Sequence, residues 1–417
     1  MTTAAIIHQH TNNYGDDAAG AALAAQLVDE LGVEHVDIFY IWQKNGTGMR
    51  LDPTVFTNRL IPQLSGAADI RARLALAIAG HVLLRRRLPR WLREMVETTK
   101  KADHVFVSPA GANIGIYKDW TYLLVLMALV VNGVRPIFHL NTVGESNSRI
   151  FNAVARWVLR RCELNVRELA SATWLATRGM SSYLGVDTAV LLPDLADEPS
   201  ADLTQPYLAV VPTGLANWHR DFRGSDDSSI HSAVVDAVAR IAQLRNLNVV
   251  LVPHLYGPED ESDLLERLQQ RFASLGCAAR IAPVASHVDY QRALQGAEAS
   301  VSMRYHGLIL SALSGVPCVA VAYENKMVEA ASYLGLGDFS TRPGAGRDEI
   351  SSLLERALDA RDDYRARFVA RRAELRQIAA GPTRAARARL LRAGSTLTDE
   401  ASGQRAGDEG GRSTNRS

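Results

Sequence analysis

The sequence predicts an α/β protein built from two Rossmann-like domains that face a cleft. Two observations carry this. Short apolar strand-like runs alternate with helical stretches twice along the chain, and a segment between Pro193 and Pro206 turns to Asp, Glu, Ser and Pro. Repeated β-α alternation argues for doubly wound parallel sheets, and a polar Pro-rich segment between them for an interdomain linker. At 417 residues the chain is also too long for one ordinary core.

In the first half, Ala4 to His8 reads as a strand, Asp17 to Leu31 as an Ala-rich helix and His35 to Ile41 as a strand. Residues 67–100 read as helical and basic. Asp103 to Ser108 and Arg135 to Leu140 read as strands around a helix from Trp120 to Asn132. A helix over 148–162, an extended Glu163 to Val166, a helix from Ser171 to Arg178 and an extended Ala189 to Leu192 complete it. In the second half, strands are expected at Tyr207–Val211, Asn248–Pro253, Ala279–Ile281, Ala299–Met303 and Cys318–Tyr323, with helices between them. The expected division is 1–196, 206–345, helices over 346–393 that close against either domain, and a disordered Gly/Ser-rich tail over 394–417.

Composition narrows the function classes. A net charge of +1 gives no reason to expect nucleic acid. Cys162, Cys277 and Cys318 are widely spaced, which supports neither a disulfide framework nor a zinc site and fits a reducing compartment. The first residues lack the pattern of a signal peptide, and the longest apolar run, Leu123 to Val131, is too short to span a bilayer. A cytoplasmic protein is expected, with no metal cluster visible.

The most informative stretch is Ser302-Met303-Arg304-Tyr305-His306-Gly307, followed by Gly315-Val316-Pro317 and Tyr323-Glu324-Asn325-Lys326. Ligands of open α/β sheets bind at the carboxyl ends of strands, where helix N-termini also point. Arg304 and His306 fall at one such end and Lys326 at the next. Two cations and a helix N-terminus make an anion site for phosphate or carboxylate, and the histidine can move protons near neutral pH. Three other loops follow strands. Asn13-Tyr14-Gly15-Asp16-Asp17 offers a helix cap in Asp16 or Asp17 and a tight turn at Gly15, or carboxylates for substrate hydroxyls. Ser108 to Gly115 is small enough for backbone amides to approach a ligand, yet is neither GxGxxG nor a P-loop. Arg167 beside Glu168 reads, taken alone, as a surface ion pair. Trp218-His219 and His254 follow strands and can touch a sugar or simply pack. The basic amphipathic stretch from Ala72 to Arg93 is either a solvated helix face or a contact for anionic lipid.

Together these pieces resemble the polysaccharide pyruvyltransferase family. The resemblance rests on Ser302-x-Arg304-x-His306, Gly315-x-Pro317 and Tyr323-x-x-Lys326, with twenty residues from His306 to Lys326. Support comes from Asn13-Tyr14-Gly15-Asp16-Asp17, Val166-Arg167-Glu168-x-x-Ser171 and Leu192-Pro193-Asp194. The sequence departs from the family pattern at Glu168, where an aspartate is usual, and at Ala110-Gly111-Ala112, where a glycine-rich turn is usual. The resemblance implies a GT-B-like fold and transfer of the pyruvyl unit of phosphoenolpyruvate onto a sugar as a ketal. It implies phosphoenolpyruvate as co-substrate and no separate cofactor. Arg167, Arg304 and Lys326 would bind it, His306 with Arg304 would be catalytic, and Asn13, Gly15, Asp16 and Asp17 would meet the acceptor. A lipid-linked acceptor would suit the basic 72–93 stretch. The alternatives are a nucleotide-sugar glycosyltransferase, against which the segment after Pro317 lacks an E-x₇-E pair, and a sugar-binding protein without activity.

Overall fold

In the computed structural model, residues 2–40, 47–61, 67–195, 205–215, 227–389 and 392 are described. Trp218-His219, most of the expected linker and the expected tail lie outside them.

The first half forms a five-stranded parallel sheet of β1 (Thr3–Gln9), β2 (His35–Tyr40), β3 (Phe56–Leu60), β4 (His104–Val107) and β5 (Ile137–Phe138), in the order β3-β2-β1-β4-β5. Its helices are α1 (Tyr14–Leu31), α2 (Ala67–Leu84), α3 (Arg90–Lys101), α4 (Trp120–Val131) and α5 (Arg149–Leu159). A two-stranded parallel sheet follows, β6 (Asn165–Val166) with β7 (Tyr183–Leu184), around α6 (Leu169–Ala176). The second half forms a six-stranded parallel sheet from β8 (Tyr207–Val211), β9 (Asn248–Leu251), β10 (Ala279–Ile281), β11 (Ala299–Ser302), β12 (Cys318–Val321) and β13 (Ser340–Thr341), in the order β10-β9-β8-β11-β12-β13. The helices here are α7 (Ser228–Arg245), α8 (Ser262–Ser274), α9 (His287–Gln295), α10 (Tyr305–Leu313) and α11 (Asn325–Tyr333).

Both sheets reverse strand order beside their first strand, between β1 and β4 and between β8 and β11. Such a switch point leaves a crevice at the strand carboxyl ends. Buried strands such as Cys-Val-Ala-Val of β12 carry apolar residues on both faces, as parallel strands covered by helices must. One apolar core runs from Ile6 and Leu27 through Val210 and Val301 to Phe368 and Leu375, so the two halves share it. A second core, with Leu123, Phe138 and Phe151, lies on the other face of the first sheet. The C-terminal part is α12 (Arg347–Asp359) and α13 (Arg361–Ala379), with residues 381–389 helical after it. This part touches both halves. Glu349 of α12 accepts a hydrogen bond from Thr341 of β13. On α13, Arg376 donates to the carbonyl of Val190 at 3.3 Å, and Arg389 beyond it pairs with Glu163 at 2.8 Å.

Three expectations need correction. The α1 helix starts at Tyr14, not Asp17, because the Asn13 side chain accepts from the amides of Gly15 and Asp16. Asp16 and Asp17 therefore sit in the first turn and do not cap it, and Gly15 forms no turn of its own. Ala189 to Leu192 is not extended; Thr188–Leu191 is a 3₁₀ turn capped by Asp187, which accepts from the Ala189 amide at 2.8 Å. The 67–100 stretch is two helices, since the chain reaches a left-handed φ of 52° at Arg85 and Pro89 starts the next helix.

Candidate active site

A cavity of about 640 Å³ opens where the two switch points face each other. The β1 loop contributes His10, Asn13 and Asp16, and the β4 loop Gly111, Asn113 and Tyr117. The second half contributes Gly214, His254, Glu261, Arg304 and His306 among others. Arg167, from the end of β6, and Lys326, from the first turn of α11, complete the set of expected cations. Of the expected site residues, Arg167, Arg304, His306, Lys326, Asn13 and Asp16 line this cavity; Gly15 and Asp17 do not.

The Ser-x-Arg-x-His-Gly motif has a local reason. The Ser302 hydroxyl donates to the Arg304 carbonyl at 2.8 Å and accepts from the Arg304 amide at 3.1 Å, fixing the turn from β11 into α10. A side chain at position 307 would run into Ser302 Oγ, so glycine is needed beneath that turn. Arg304 is thereby held extended at the helix start with His306 in the first turn.

His306 lies between two carboxylates. Its Nδ1 is 3.8 Å from Asp16 Oδ1 and its Nε2 is 3.6 Å from Asp187 Oδ2. Asp16 also reaches His10, with Oδ2 3.9 Å from Nδ1, and His10 Nε2 is 2.7 Å from Asn113 Nδ2. Asp187 is fully buried and accepts from Arg167 Nη1 at 2.7 Å. Burial works against its charge, but His306 and Arg167 prevail and hold its carboxyl well below the usual carboxylate range. The guanidinium of Arg167 also donates from Nε to Thr142 Oγ1 at 3.2 Å and lies 4.7 Å from the Tyr305 ring centroid. Arg167 is thus a buried, oriented cation, not the surface partner of Glu168 that its sequence neighbourhood suggests. Glu168 instead accepts from the Ser171 hydroxyl at 2.8 Å.

The other two cations are also held by carboxylates. Arg304 Nη2 donates to Glu261 Oε1 at 2.5 Å, and Glu261 Oε2 accepts the amides of His254 and Leu255. Lys326 Nζ is 2.6 Å from Glu324 and 5.7 Å from the Tyr305 ring centroid. His254 is buried with Nδ1 2.9 Å from the Tyr290 hydroxyl. Burial, reinforced by Arg304 and His306, pushes its imidazole well below the ordinary value, so it is neutral here. Its ring lies roughly parallel to that of His306, with 6.4 Å between centroids. This placement favours packing and electrostatics over sugar contact.

Gly15 and Asp17 serve the seam between the halves. A Cβ on Gly15 would collide with the His306 ring, so glycine there lets α1 pass close beneath the imidazole. Asp17 accepts from the Tyr256 hydroxyl at 2.7 Å, from the Gly48 amide at 3.2 Å and from Thr47 Oγ1 at 3.3 Å. The Tyr14 hydroxyl donates to the Val284 carbonyl at 2.8 Å, and its amide to His254 at 3.0 Å, across the same seam. Burial, aided by the charge on Asp16, raises the Asp17 carboxyl from 3.8 to about 7 despite these donors. A raised native value means a stability contribution present below about pH 4 and lost as pH climbs through about 7. Asp17→Asn should therefore flatten the alkaline side of that profile. Relative to wild type its melting temperature should rise between pH 4 and 8, by the equivalent of a few kcal/mol at most. Parallel melting curves that keep a constant offset over this range would contradict that account.

The cleft residues the sequence does not announce are the carboxylates. Asp187 is a single acid in an otherwise apolar run, which is its only signal. Glu261 sits in Glu259-Asp260-Glu261-Ser262-Asp263, which looks like a solvated loop. Among the described residues no group of three His, Cys, Asp or Glu side chains is arranged to hold a metal ion. The three cysteines are buried and unpaired.

The architecture is GT-B-like, with paired cations and a histidine in the cleft between its two halves. Solved structures share the fold. Staphylococcus aureus MnaA with UDP superposes with a TM-score of 0.56 at 14% identity, covering 94% of this chain and 95% of that one. A UDP-N-acetylglucosamine 2-epimerase gives 0.60 at 12%, covering 94% and 95%. The Methanocaldococcus jannaschii UDP-GlcNAc 2-epimerase with UDP-GlcNAc and UDP gives 0.54 at 12%, covering 86% and 93%. At such identities the likeness concerns fold alone. Curated protein sequences yield no match. The chain belongs to the polysaccharide pyruvyl transferase family, whose pattern it matches over residues 13–325.

Proposed function

We propose that the protein transfers the pyruvyl unit of phosphoenolpyruvate to two hydroxyls of a sugar as a cyclic ketal, releasing phosphate. The observation that carries this reading is the convergence of Arg167, Arg304 and Lys326 around His306 in one cavity, in a chain of this family. Phosphoenolpyruvate is a compact polyanion, and guanidinium groups suit its carboxylate and phosphate. Each cation is already oriented by Asp187, Glu261 or Glu324, so little side-chain freedom is lost on binding. The cavity has room for this ligand beside a sugar ring.

The chemistry runs as follows. His306 gives a proton to the methylene carbon, the C=C electron pair forms the new C–H bond, and an oxocarbenium-like carbon results. A sugar hydroxyl attacks that carbon and gives up its proton. The C–O bond to phosphate breaks, the electron pair leaving with phosphate, and the second hydroxyl adds and loses its proton to close the ketal. Asp16, between His306 and His10, orients the imidazole and receives the acceptor hydroxyl, with Asn13 beside it. No metal or further cofactor enters this scheme.

Thermal unfolding with phosphoenolpyruvate, pyruvate, UDP and GDP in parallel tests it. At a hundred times its dissociation constant a ligand stabilises by about 2.7 kcal/mol. Phosphoenolpyruvate should raise the melting temperature and the nucleotides should not. A response to UDP or GDP alone would assign nucleotide-sugar glycosyl transfer instead.

A further inference from the structure

The α2 helix is apolar on the side that faces away from the protein. Leu74 and Ile78 bury one stripe against the first sheet and its helices. The opposite stripe, spaced four, three and four residues apart, is Ala72, Leu76, Ala79 and Leu83, all exposed. Leu76 is 71% and Leu83 77% accessible, and Leu84 beside them 63%. Exposed Arg71 and Arg73 flank this stripe, and an apolar outward face with basic edges suits the plane of a membrane interface better than bulk water. The chain then enters a left-handed conformation at Arg85, with φ of 52°, where glycine is the usual residue. Arg85, Arg86 and Arg87 follow one another there, all exposed. Among the described residues no carboxylate pairs with their side chains; the nearby Glu94 is held by Arg90 at 2.7 Å. Leu88 and Leu92 re-enter the core immediately afterwards, so the patch is fixed on a rigid base.

We propose that this apolar stripe with its arginine corner is a docking surface for an anionic lipid bilayer. Leu76, Leu83 and Leu84 would enter the interface while the arginines meet phosphate headgroups. Charge selects this occupant over a second copy of the chain, because a two-fold contact would bring both arginine clusters together. The inference goes beyond the transfer reaction and stands whichever group is transferred.

Co-sedimentation of the full chain with phosphatidylcholine vesicles, with and without phosphatidylglycerol, tests it. Binding is expected only with the anionic lipid and should fall steeply with salt. Replacing Arg85, Arg86 and Arg87 by serine should weaken partitioning roughly a hundredfold, each basic residue contributing about fivefold. The double variant Leu76→Ser/Leu83→Ser should also lose binding, while both variants keep the phosphoenolpyruvate-dependent thermal shift if that separate reading holds. Absence of wild-type binding to the anionic vesicles, or binding unchanged in both variants, would overturn the proposal. A concentration-dependent dimer that Leu83→Ser disperses would assign the patch to a second copy and overturn it equally.

Discussion

Replacing His306 by alanine is expected to lower pyruvyl transfer by about 10²–10⁴-fold, the usual contribution of a positioned acid-base group. The loss should fall on kcat and spare phosphoenolpyruvate binding, because Arg167 and Arg304 keep their own carboxylate partners at 2.7 and 2.5 Å. The phosphoenolpyruvate-induced thermal shift is therefore expected to survive. His306→Gln keeps much of the ring's bulk above Gly15 and separates proton transfer from packing; it should be nearly as inactive as alanine. The same change removes one of the two partners, His306 and Arg167, that hold Asp187 low. The stability that Asp187 contributes is present above the usual carboxylate range and is lost as pH falls through its native value. With the native value less depressed, the variant should lose less stability on acidification, and that loss should be complete at a higher pH. Near-normal turnover by His306→Gln would end the acid-base role proposed for this residue.

The fold was legible because parallel strands buried on both faces are short apolar runs, and Ala209-Val210-Val211 or Cys318-Val319-Ala320 admit little else. What escaped were the elements with no such pattern. The β3 strand reads Phe-Thr-Asn-Arg-Leu and lies at a sheet edge with one neighbour, so its sequence carries no buried face. The two-residue strands β7 and β13 are too short to show a period. At the cleft, cations and histidine were legible since they follow strands. Asp187 was not, because its partner Arg167 lies twenty residues away and only the tertiary fold joins them. Asp17 was misread for a related reason. Two adjacent aspartates in a helix's first turn point to different faces, and Asp16 turns to the cavity while Asp17 turns to Tyr256.

Asp187→Ala should be among the most destabilising single changes in the cleft. It strands Arg167, whose side chain is 2% exposed, with a buried charge and, among the described residues, Thr142 as its remaining side-chain hydrogen-bond acceptor. Breaking a buried pair in this way costs about 3–5 kcal/mol, a large share of the roughly 5–15 kcal/mol that holds a typical native protein together. The alanine also removes the acceptor that starts the Thr188–Leu191 turn, on which Arg376 of α13 is anchored, so the C-terminal helices should loosen with it. Denaturant unfolding checks the size of the effect. The double variant Arg167→Met/Asp187→Leu then separates stability from ligand binding. With both charges gone, no uncompensated ion is left in the core and most of the lost stability should return. The response to phosphoenolpyruvate should not return, because the guanidinium proposed to meet it is absent. Recovery of stability together with an undiminished phosphoenolpyruvate shift would confine the pair to a structural role and leave anion binding to Arg304 and Lys326.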